Sequence, residues 1–122
     1  MKKKLSAVAA LLLSLNVHAA DDAEWMRYAA ISPDGTQIAF SFKGDIYTVS
    51  AQGGRAYQLT TNPAHDTRPV WSPDGQKIAF VSDRRGNPRI FISDTYGRNT
   101  QLIPSIGNDA VTPAWSKDGK IA

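Results

Sequence analysis

The sequence predicts an all-β fold: a partial β-propeller of about two four-stranded blades plus the start of a third, after a cleaved signal peptide. The first observation is a repeated motif, Ser-Pro-Asp-Gly followed by Ile-Ala-Phe, which occupies residues 31–40, returns at 71–80 and returns in part at 115–122. The second is the spacing of these repeats, roughly 40 to 45 residues, which is typical of propeller blades. The third is that β-branched and aromatic runs fill the chain after its N-terminal segment, without sustained helical periodicity.

Residues 1–19 have the pattern of a secretory signal peptide. Lysines at positions 2–4 precede an apolar run over residues 5–15, and Val17-His18-Ala19 forms a small-residue cleavage site. We predict cleavage after Ala19, with Ala20 as the second choice. The apolar run is shorter than the roughly 20 residues that span a bilayer, and the chain has no cysteine for lipid attachment. We therefore predict no stable membrane insertion and a periplasmic or secreted location; a short N-terminal helix of a cytosolic protein is the alternative.

Residues 20–122 are predicted to form the incomplete propeller, and each full repeat divides into four strands. The predicted strands are residues 27–32, 37–42, 45–50 and about 56–60 in blade one (about 25–60), and residues 68–72, 77–82, 89–93 and 99–103 in blade two (about 68–103). The polar segment 61–67 crosses between them, and blade three starts at about 111–122. In the Pro-Asp-Gly turns, proline presets φ and glycine accepts the conformation at the exit.

Two blades and the start of a third cannot close a ring, which takes roughly four to eight blades. An open stack leaves strand edges and an apolar face uncovered. We therefore expect this sequence to be the N-terminal piece of a longer protein, with ring assembly from several copies as the alternative. Residues 20–122 alone are expected to aggregate or to stay loosely folded.

Charge and composition exclude several kinds of chemistry. Fourteen Lys and Arg face eleven Asp and Glu, but three of the fourteen lie in the signal peptide, so the mature chain is balanced and its scattered basic residues predict no nucleic-acid partner. After cleavage His65 is the only histidine, and cysteine is absent. These counts exclude a multi-histidine zinc site and a cysteine nucleophile. No phosphate-binding glycine loop is present. We assign no catalytic residue, no cofactor and no metal to this chain.

Two features of the sequence are candidates for sites of chemistry. His65 and Asp66, in the crossing segment, could form a pair at the propeller rim, but neighbouring residues of an extended segment point opposite ways. We therefore favour a solvated loop, in which Asp66 or Thr67 accepts backbone hydrogen bonds at the turn into the next strand. The aspartates at the same position of each repeat could form a ring of cation ligands, and we favour a role within their turns. These aspartates are Asp34, Asp74 and Asp118.

Two further features have a structural and a binding interpretation. Trp71 and Trp115 occupy matching strand positions, with Ile31 as their counterpart, and we favour packing between blades over a carbohydrate or peptide platform. The segment Asp83-Arg84-Arg85-Gly86 could meet an acidic substrate terminus, and we favour a solvated turn between the second and third strands.

Together the motifs resemble the WD40-like propeller repeat shared by TolB and tricorn-type peptidases. The resemblance rests on Ser-Pro-Asp-Gly-x-x-Ile-Ala-Phe, Gly-Asp-Ile-Tyr-x-Val, Gly-Gly-x-x-x-Gln-Leu-Thr and x-Arg-Pro-Val-Trp, and it covers residues 25–122. The second repeat departs from it: Asn87-Pro88-Arg89 replaces the Gly-x-Asp lead-in, Tyr96-Gly97 replaces Gly-Gly, and Ile103-Pro104 replaces Leu-Thr. In the third repeat Lys117 replaces the turn proline.

What precedes the first repeat separates the two relatives. TolB carries an α/β domain of well over a hundred residues there, whereas only residues 20–24 follow the predicted cleavage site here. The sequence is therefore more similar to secreted tricorn-like serine peptidases. That resemblance implies a propeller that passes peptide or unfolded protein substrates to a distal catalytic domain, whose residues are absent from this chain, and it leaves open an oligomer of the parent. A TolB-like, non-enzymatic protein-binding scaffold is the alternative, and a prolyl-oligopeptidase-like hydrolase with a downstream Gly-x-Ser-x-Gly motif is a third option.

Overall fold

The computed structural model describes residues 26–104 and 112–121, and it contains two four-stranded antiparallel sheets in which each strand pairs with the next along the chain. The predicted signal peptide, residues 1–19, lies outside the described residues. Blade one consists of β1 (Met26–Ile31), β2 (Gln37–Phe42), β3 (Asp45–Ser50) and β4 (Tyr57–Gln58). Blade two consists of β5 (Asp66–Trp71), β6 (Lys77–Ser82), β7 (Arg89–Asp94) and β8 (Gln101–Leu102). The predicted all-β partial propeller is confirmed.

The two blades share one register. In blade one Phe40 of β2 pairs with Tyr47 of β3, and in blade two Phe80 of β6 pairs with Phe91 of β7. The rings of both pairs are stacked, with centroids 5.8 Å and 6.2 Å apart. Aromatic and β-branched side chains therefore hold the central strand pair of each blade in the same alignment.

The innermost strands β1 and β5 each carry a bulge. The register shifts between Arg27 and Ala30 in β1 and at the matching place in β5. Tyr28 and Arg68 occupy these bulges with φ of 56° and 57°, a conformation that is uncommon outside glycine. The Arg68 guanidinium carbon lies 4.5 Å from the centre of the Tyr28 ring, so the two bulges stack one blade on the next.

The outer strands are shorter than predicted, and β5 begins earlier. The Ile46 backbone N–H bonds to the hydroxyl of Thr60 at 2.9 Å instead of to a strand carbonyl, so β4 ends before that residue. Asp66 already belongs to β5, where it pairs with Ser82 of β6, and its backbone N–H donates to the carbonyl of Gly44 in blade one at 2.8 Å. The crossing segment is therefore tied to both blades rather than loose.

Apolar contacts cover both faces of the blade-two sheet. Ile46 of β3 packs against Phe80 and Phe91, with Leu59 partly buried beside them. On the far face of blade two, Ala79 and Ile90 form a cluster that Trp115 and Ile121 contact. Trp115 and Ile121 also pair with each other as an antiparallel bridge. Trp115 and Ile121 thus begin to cover this face of blade two.

The antiparallel order gives the sheets two distinct ends. The turns after β1, β3, β5 and β7 lie at one end, which we call the groove end. The turns after β2 and β6 and the segment from β4 to β5 lie at the other, which we call the crossing end.

In the ranges described, no helix is long and apolar enough to cross a membrane.

Candidate functional site

The repeated aspartates act within their own turns, as the sequence predicted. The hydroxyl of Ser32 donates to Oδ1 of Asp34 at 2.7 Å, and the backbone N–H and hydroxyl of Thr36 donate to the same oxygen at 3.0 Å and 2.7 Å. Ser72 donates to Asp74 in the same way at 2.6 Å, and Ser116 donates to Asp118. Over residues 26–104 and 112–121, no group of three or more His, Asp or Glu side chains could hold a metal ion.

These hydrogen bonds keep the turn carboxylates ionised. Hydrogen bonds from Thr36 and Ser32 lower the pKa of Asp34 from 3.8 to about 2. The hydroxyl of Ser72 and the backbone N–H of Gln76 lower the pKa of Asp74 in the same direction. Both carboxylates are therefore fixed negative charges at the groove end.

The predicted candidates His65 and Asp66 are adjacent in sequence but do not act as a pair. Asp66 is completely buried, and its two carboxylate oxygens lie 3.4 Å and 3.3 Å from Nη2 of Arg84. His65 is exposed; its backbone N–H donates to Oδ1 of Asp83 at 2.8 Å, and its ring lies against Gly44. The expected solvated loop is therefore wrong for Asp66, which binds a guanidinium group inside the interface.

The prediction of a solvated turn over residues 83–86 is wrong for the side chain of Arg84. Its side chain is only 17% exposed. The guanidinium carbon lies 5.5 Å and 4.7 Å from the ring centres of Phe80 and Phe91, and its Nε–H donates to Ser82 at 2.9 Å. Asp83, Arg85 and Gly86 are exposed, as predicted. Arg84 folds back because the aromatic pair and the buried carboxylate of Asp66 offer it both a flat surface and an opposite charge.

Asp45 lies beside this ion pair at the crossing end. Burial, and then the charge of Asp66, raise the pKa of the Asp45 carboxyl above its usual value. Gln58 Nε2 donates to Asp45 at 3.1 Å. This region is a packed polar interface between blades, in which Asp45 of blade one lies near Asp66 of blade two.

The tryptophan column lies between blades, as predicted. Nε1 of Trp71 donates to the carbonyl of Ala30 at 3.0 Å, and Nε1 of Trp115 donates to the carbonyl of Val70 at 3.3 Å. Each indole thus bonds to the innermost strand of the preceding blade. Ile31, the counterpart in blade one, has no indole N–H to donate.

An open groove separates the blades at the groove end. Its volume is about 860 Å³, within the range of about 300–1,000 Å³ usual for ligand sites. Tyr57 of β4 and Tyr96 of the β7–β8 turn line it and are 66% and 77% exposed. Trp71 and the two Pro-Asp-Gly turns line its remaining sides. We call this site the inter-blade groove.

Tight contacts between blades adjoin the groove. A Cβ added to Gly97 would lie 2.1 Å from the carbonyl oxygen of Leu59, so the β7–β8 turn rests directly on the main chain of blade one. A Cβ added to Gly75 would lie 3.7 Å from Cδ of Pro33, which brings the two Pro-Asp-Gly turns side by side. The sequence did not predict this groove. The signal it carries is a tyrosine at the fourth strand of the first repeat, Tyr57, and another just before that strand in the second, Tyr96.

Comparison with known proteins places the chain in a family. A family model described as the TolB beta propeller domain, PD40, matches residues 15–122. The chain belongs to this TolB-type propeller family. The blades, turns and inter-blade contacts described above show how this chain forms the repeat of that family.

Curated relatives include both peptidases and TolB proteins. The chain is 31% identical over 100 residues to the protein named "Uncharacterized peptidase YuxL" of Bacillus subtilis (strain 168), a match that covers 73% of this chain and 15% of the relative. It is 44% identical over 59 residues to the TolB homolog of Chlorobium luteolum, covering 48% of this chain and 14% of the relative. It is 28% identical over 90 residues to tricorn protease homolog 1 of Streptomyces coelicolor, covering 73% and 8%. The chain thus spans a small part of each relative's length.

Solved structures show the same fold. TolB from Acinetobacter baumannii superposes with a TM-score of 0.68 and 30% identity, over 78% of this chain and 25% of that chain. The tricorn protease superposes with a TM-score of 0.61 and 18% identity, over 78% of this chain and 10% of that chain, a likeness in fold alone. The chain therefore has a TolB-type propeller fold and is related to both TolB and tricorn protease.

Proposed function

We propose that this chain is the polypeptide-binding propeller segment of a periplasmic or secreted tricorn-like serine peptidase. The observation that carries the binding role is the inter-blade groove, an open site with exposed Tyr57 and Tyr96 on a rigid scaffold. Aromatic side chains of this kind supply contact area at low entropic cost. The match with a named peptidase across 100 residues supports the enzymatic context.

In this proposal the propeller binds peptide or unfolded protein and passes it to a catalytic domain elsewhere in the parent protein. Hydrolysis there proceeds through an acyl-enzyme, with a serine nucleophile and oxyanion donors outside this sequence. The predicted signal peptide at residues 1–19 accounts for export. No residue of this chain takes part in bond cleavage.

A second candidate is a non-enzymatic TolB-like scaffold that binds envelope proteins. It is favoured by the 44% identity to a TolB homolog and by the superposition on a TolB structure. Both proposals require protein binding, and they differ in whether a serine nucleophile follows the blades.

Two measurements on the native product separate the candidates. The first is the reading frame beyond the codon of Ala122, sequenced from the transcript. The second is labelling of the native-length product, captured with an antibody against this chain, by a biotinylated fluorophosphonate that reacts with activated serines. A frame that continues into a peptidase domain, together with a labelled product that hydrolyses casein, supports the peptidase. A frame that ends after the last blade, with an unlabelled product, supports the scaffold. A downstream Gly-x-Ser-x-Gly elbow would assign the enzyme to the prolyl-oligopeptidase type instead.

A further inference from the structure

We propose that the inter-blade groove binds an extended peptide segment through a basic side chain, lysine or arginine. This inference rests on the polypeptide-binding part of the proposed function and names the chemistry that its site selects. It is independent of whether a serine nucleophile follows the blades.

The first argument is the charge of the groove. Its charged lining residues are Asp34, Asp74 and Arg98. Asp94 accepts the backbone N–H of Arg98 at 2.8 Å, and the charge of Arg98 helps to lower the pKa of that carboxyl, so the guanidinium already has an acidic neighbour. Two carboxylates and one guanidinium thus line the groove, and Lys77, which acts on Asp74 by its charge, is not among the lining residues. The lining therefore has a net negative charge, which a cationic ligand complements.

The second argument is the state of those carboxylates. The turn bonds to Asp34 from Ser32 and Thr36 all end on Oδ1, and those to Asp74 end on its Oδ1 as well. The turns therefore fix each carboxylate in place without using Oδ2. Because the pKa values of both groups are lowered, they stay ionised well below neutral pH.

The third argument is the pair of exposed tyrosines. Tyr57 and Tyr96 lie on different blades, line the same groove and are each more than half exposed. The face of a tyrosine ring attracts an ammonium or guanidinium group. The Arg98 guanidinium carbon already lies 6.0 Å from the Tyr96 ring centre, so this chain uses the same contact within the groove. Rings combined with fixed carboxylates favour a basic side chain over an acidic or neutral one.

The test measures binding of three fluorescein-labelled ten-residue peptides that are identical except for a central Lys, Gln or Glu. The protein is the native-length product, treated beforehand with a fluorophosphonate so that any serine nucleophile is blocked. We expect the Lys peptide to bind tightest, with a preference over the Gln peptide of about two- to fivefold in Kd. This preference should shrink as salt is raised, because exposed charges are screened.

Matched variants locate the site. Tyr57→Ala and Tyr96→Ala should each raise the Kd of the Lys peptide about two- to fivefold. Leu102→Ala is the control, because Leu102 is also an exposed apolar residue of an outer strand (41% exposed) and does not line the groove. It should leave the Kd unchanged.

A second pair of variants isolates the charge. Asp34→Asn and Asp74→Asn keep an oxygen that can accept the turn hydrogen bonds but remove the negative charge, and each should reduce the preference for Lys over Gln. Asp118→Asn makes the same change in a Ser-x-Asp-Gly turn outside the groove and should have no effect.

Three results would overturn the inference: equal affinity for all three peptides, tighter binding of the Glu peptide, or tyrosine variants that bind the Lys peptide like the parent. Each can occur in a protein that the fluorophosphonate labels, in which case the peptidase proposal stands and the groove assignment fails. Conversely, an unlabelled protein that prefers the Lys peptide in a tyrosine-dependent way supports the groove assignment and contradicts the peptidase.

Discussion

Replacing Gly97 by alanine adds a methyl group that should push the β7–β8 turn of blade two away from blade one. Its φ is 78°, and a Cβ would lie 2.1 Å from the carbonyl oxygen and 2.9 Å from the carbonyl carbon of Leu59. These atoms belong to main chain, so rotation of a side chain cannot relieve the overlap. We predict that Gly97→Ala forces the β7–β8 turn about 1 Å away from blade one, because a Cβ essentially never lies closer than 3.0 Å to a heavy atom to which it is not bonded, and the carbonyl oxygen would lie at 2.1 Å.

The expected cost has two parts. An alanine in the left-handed region costs about 1–2 kcal/mol. Overpacking against main chain adds about 1–3 kcal/mol. The sum is about 2–5 kcal/mol, at the upper end of what a single substitution does to a protein.

Gly119→Ala supplies the matched control. Gly119 has a φ of 84°, close to that of Gly97, but a Cβ there meets no atom within 4 Å. This variant therefore incurs only the conformational part, about 1–2 kcal/mol. The difference between the two variants measures the clash itself.

The assay is urea unfolding of the native-length protein, followed by tryptophan emission. Trp71 reports on the interface because its indole N–H is bonded to Ala30 of the neighbouring blade. With a clash cost of about 1–3 kcal/mol and a slope of about 1–3 kcal/mol per molar urea, Gly97→Ala should lower the midpoint by about 0.3–3 M beyond the shift of Gly119→Ala. Coincident midpoints for the two variants would refute the reasoning, because the backbone conformation alone would then explain both.

Three further predictions concern the interface and the turns. Arg84→Ala leaves the buried Asp66 carboxylate without its partner and should cost about 3–5 kcal/mol; Arg85→Ala at the exposed neighbouring position should change stability by less than about 0.5 kcal/mol, and similar urea midpoints for both would contradict the ion-pair assignment. Trp71→Phe removes the indole donor to a carbonyl of blade one and should lower the free energy of unfolding by about 1 kcal/mol; an unchanged midpoint would count against that hydrogen bond. Because the pKa of Asp34 falls from 3.8 to about 2 on folding, its stabilising contribution is complete above about pH 4 and is lost as the pH falls toward 2. The melting temperature of Asp34→Asn should therefore fall less than that of the parent between pH 4 and pH 2. Equal falls for the two proteins would show that the Asp34 carboxylate does not stabilise the fold.

The fold was predictable because its signals are local and repeated. The bonds that stabilise the turn at Asp34 come from Ser32 and Thr36, each two residues away, so the motif contains its own partners. The strand pairs Phe40–Tyr47 and Phe80–Phe91 are likewise set by short hairpins. The propeller repeat could therefore be recognised, and its turn aspartates assigned, from sequence spacing.

The site was not predictable in the same way, because its contacts join residues that are distant in the chain. Arg84 bonds to Asp66 across 18 residues, and its hairpin position gives no sign that it turns inward. Tyr57 and Tyr96 meet at one groove only because the blades stack in register. The predicted length of β4 is wrong for a related reason: a side-chain hydroxyl, that of Thr60, replaces a strand carbonyl as acceptor at the end of this strand.

The two ends of the blade pair have different physical roles, and this bears on how the groove could work. At the crossing end, the backbone N–H of Asp66 bonds to the carbonyl of Gly44 in blade one, while the ion pair of Arg84 with Asp66 and the bond from His65 to Asp83 hold β5 and the crossing segment against the β6–β7 turn of blade two. At the groove end, the contact of Gly97 with Leu59 sets the separation, while the tyrosines remain exposed. A ligand that binds the groove end therefore meets a preformed site and needs no movement of the blades. Such preorganisation lowers the entropic cost of binding. It also predicts that a bound basic peptide should raise the urea midpoint of the parent but not that of Gly97→Ala, in which the groove has lost its fixed width.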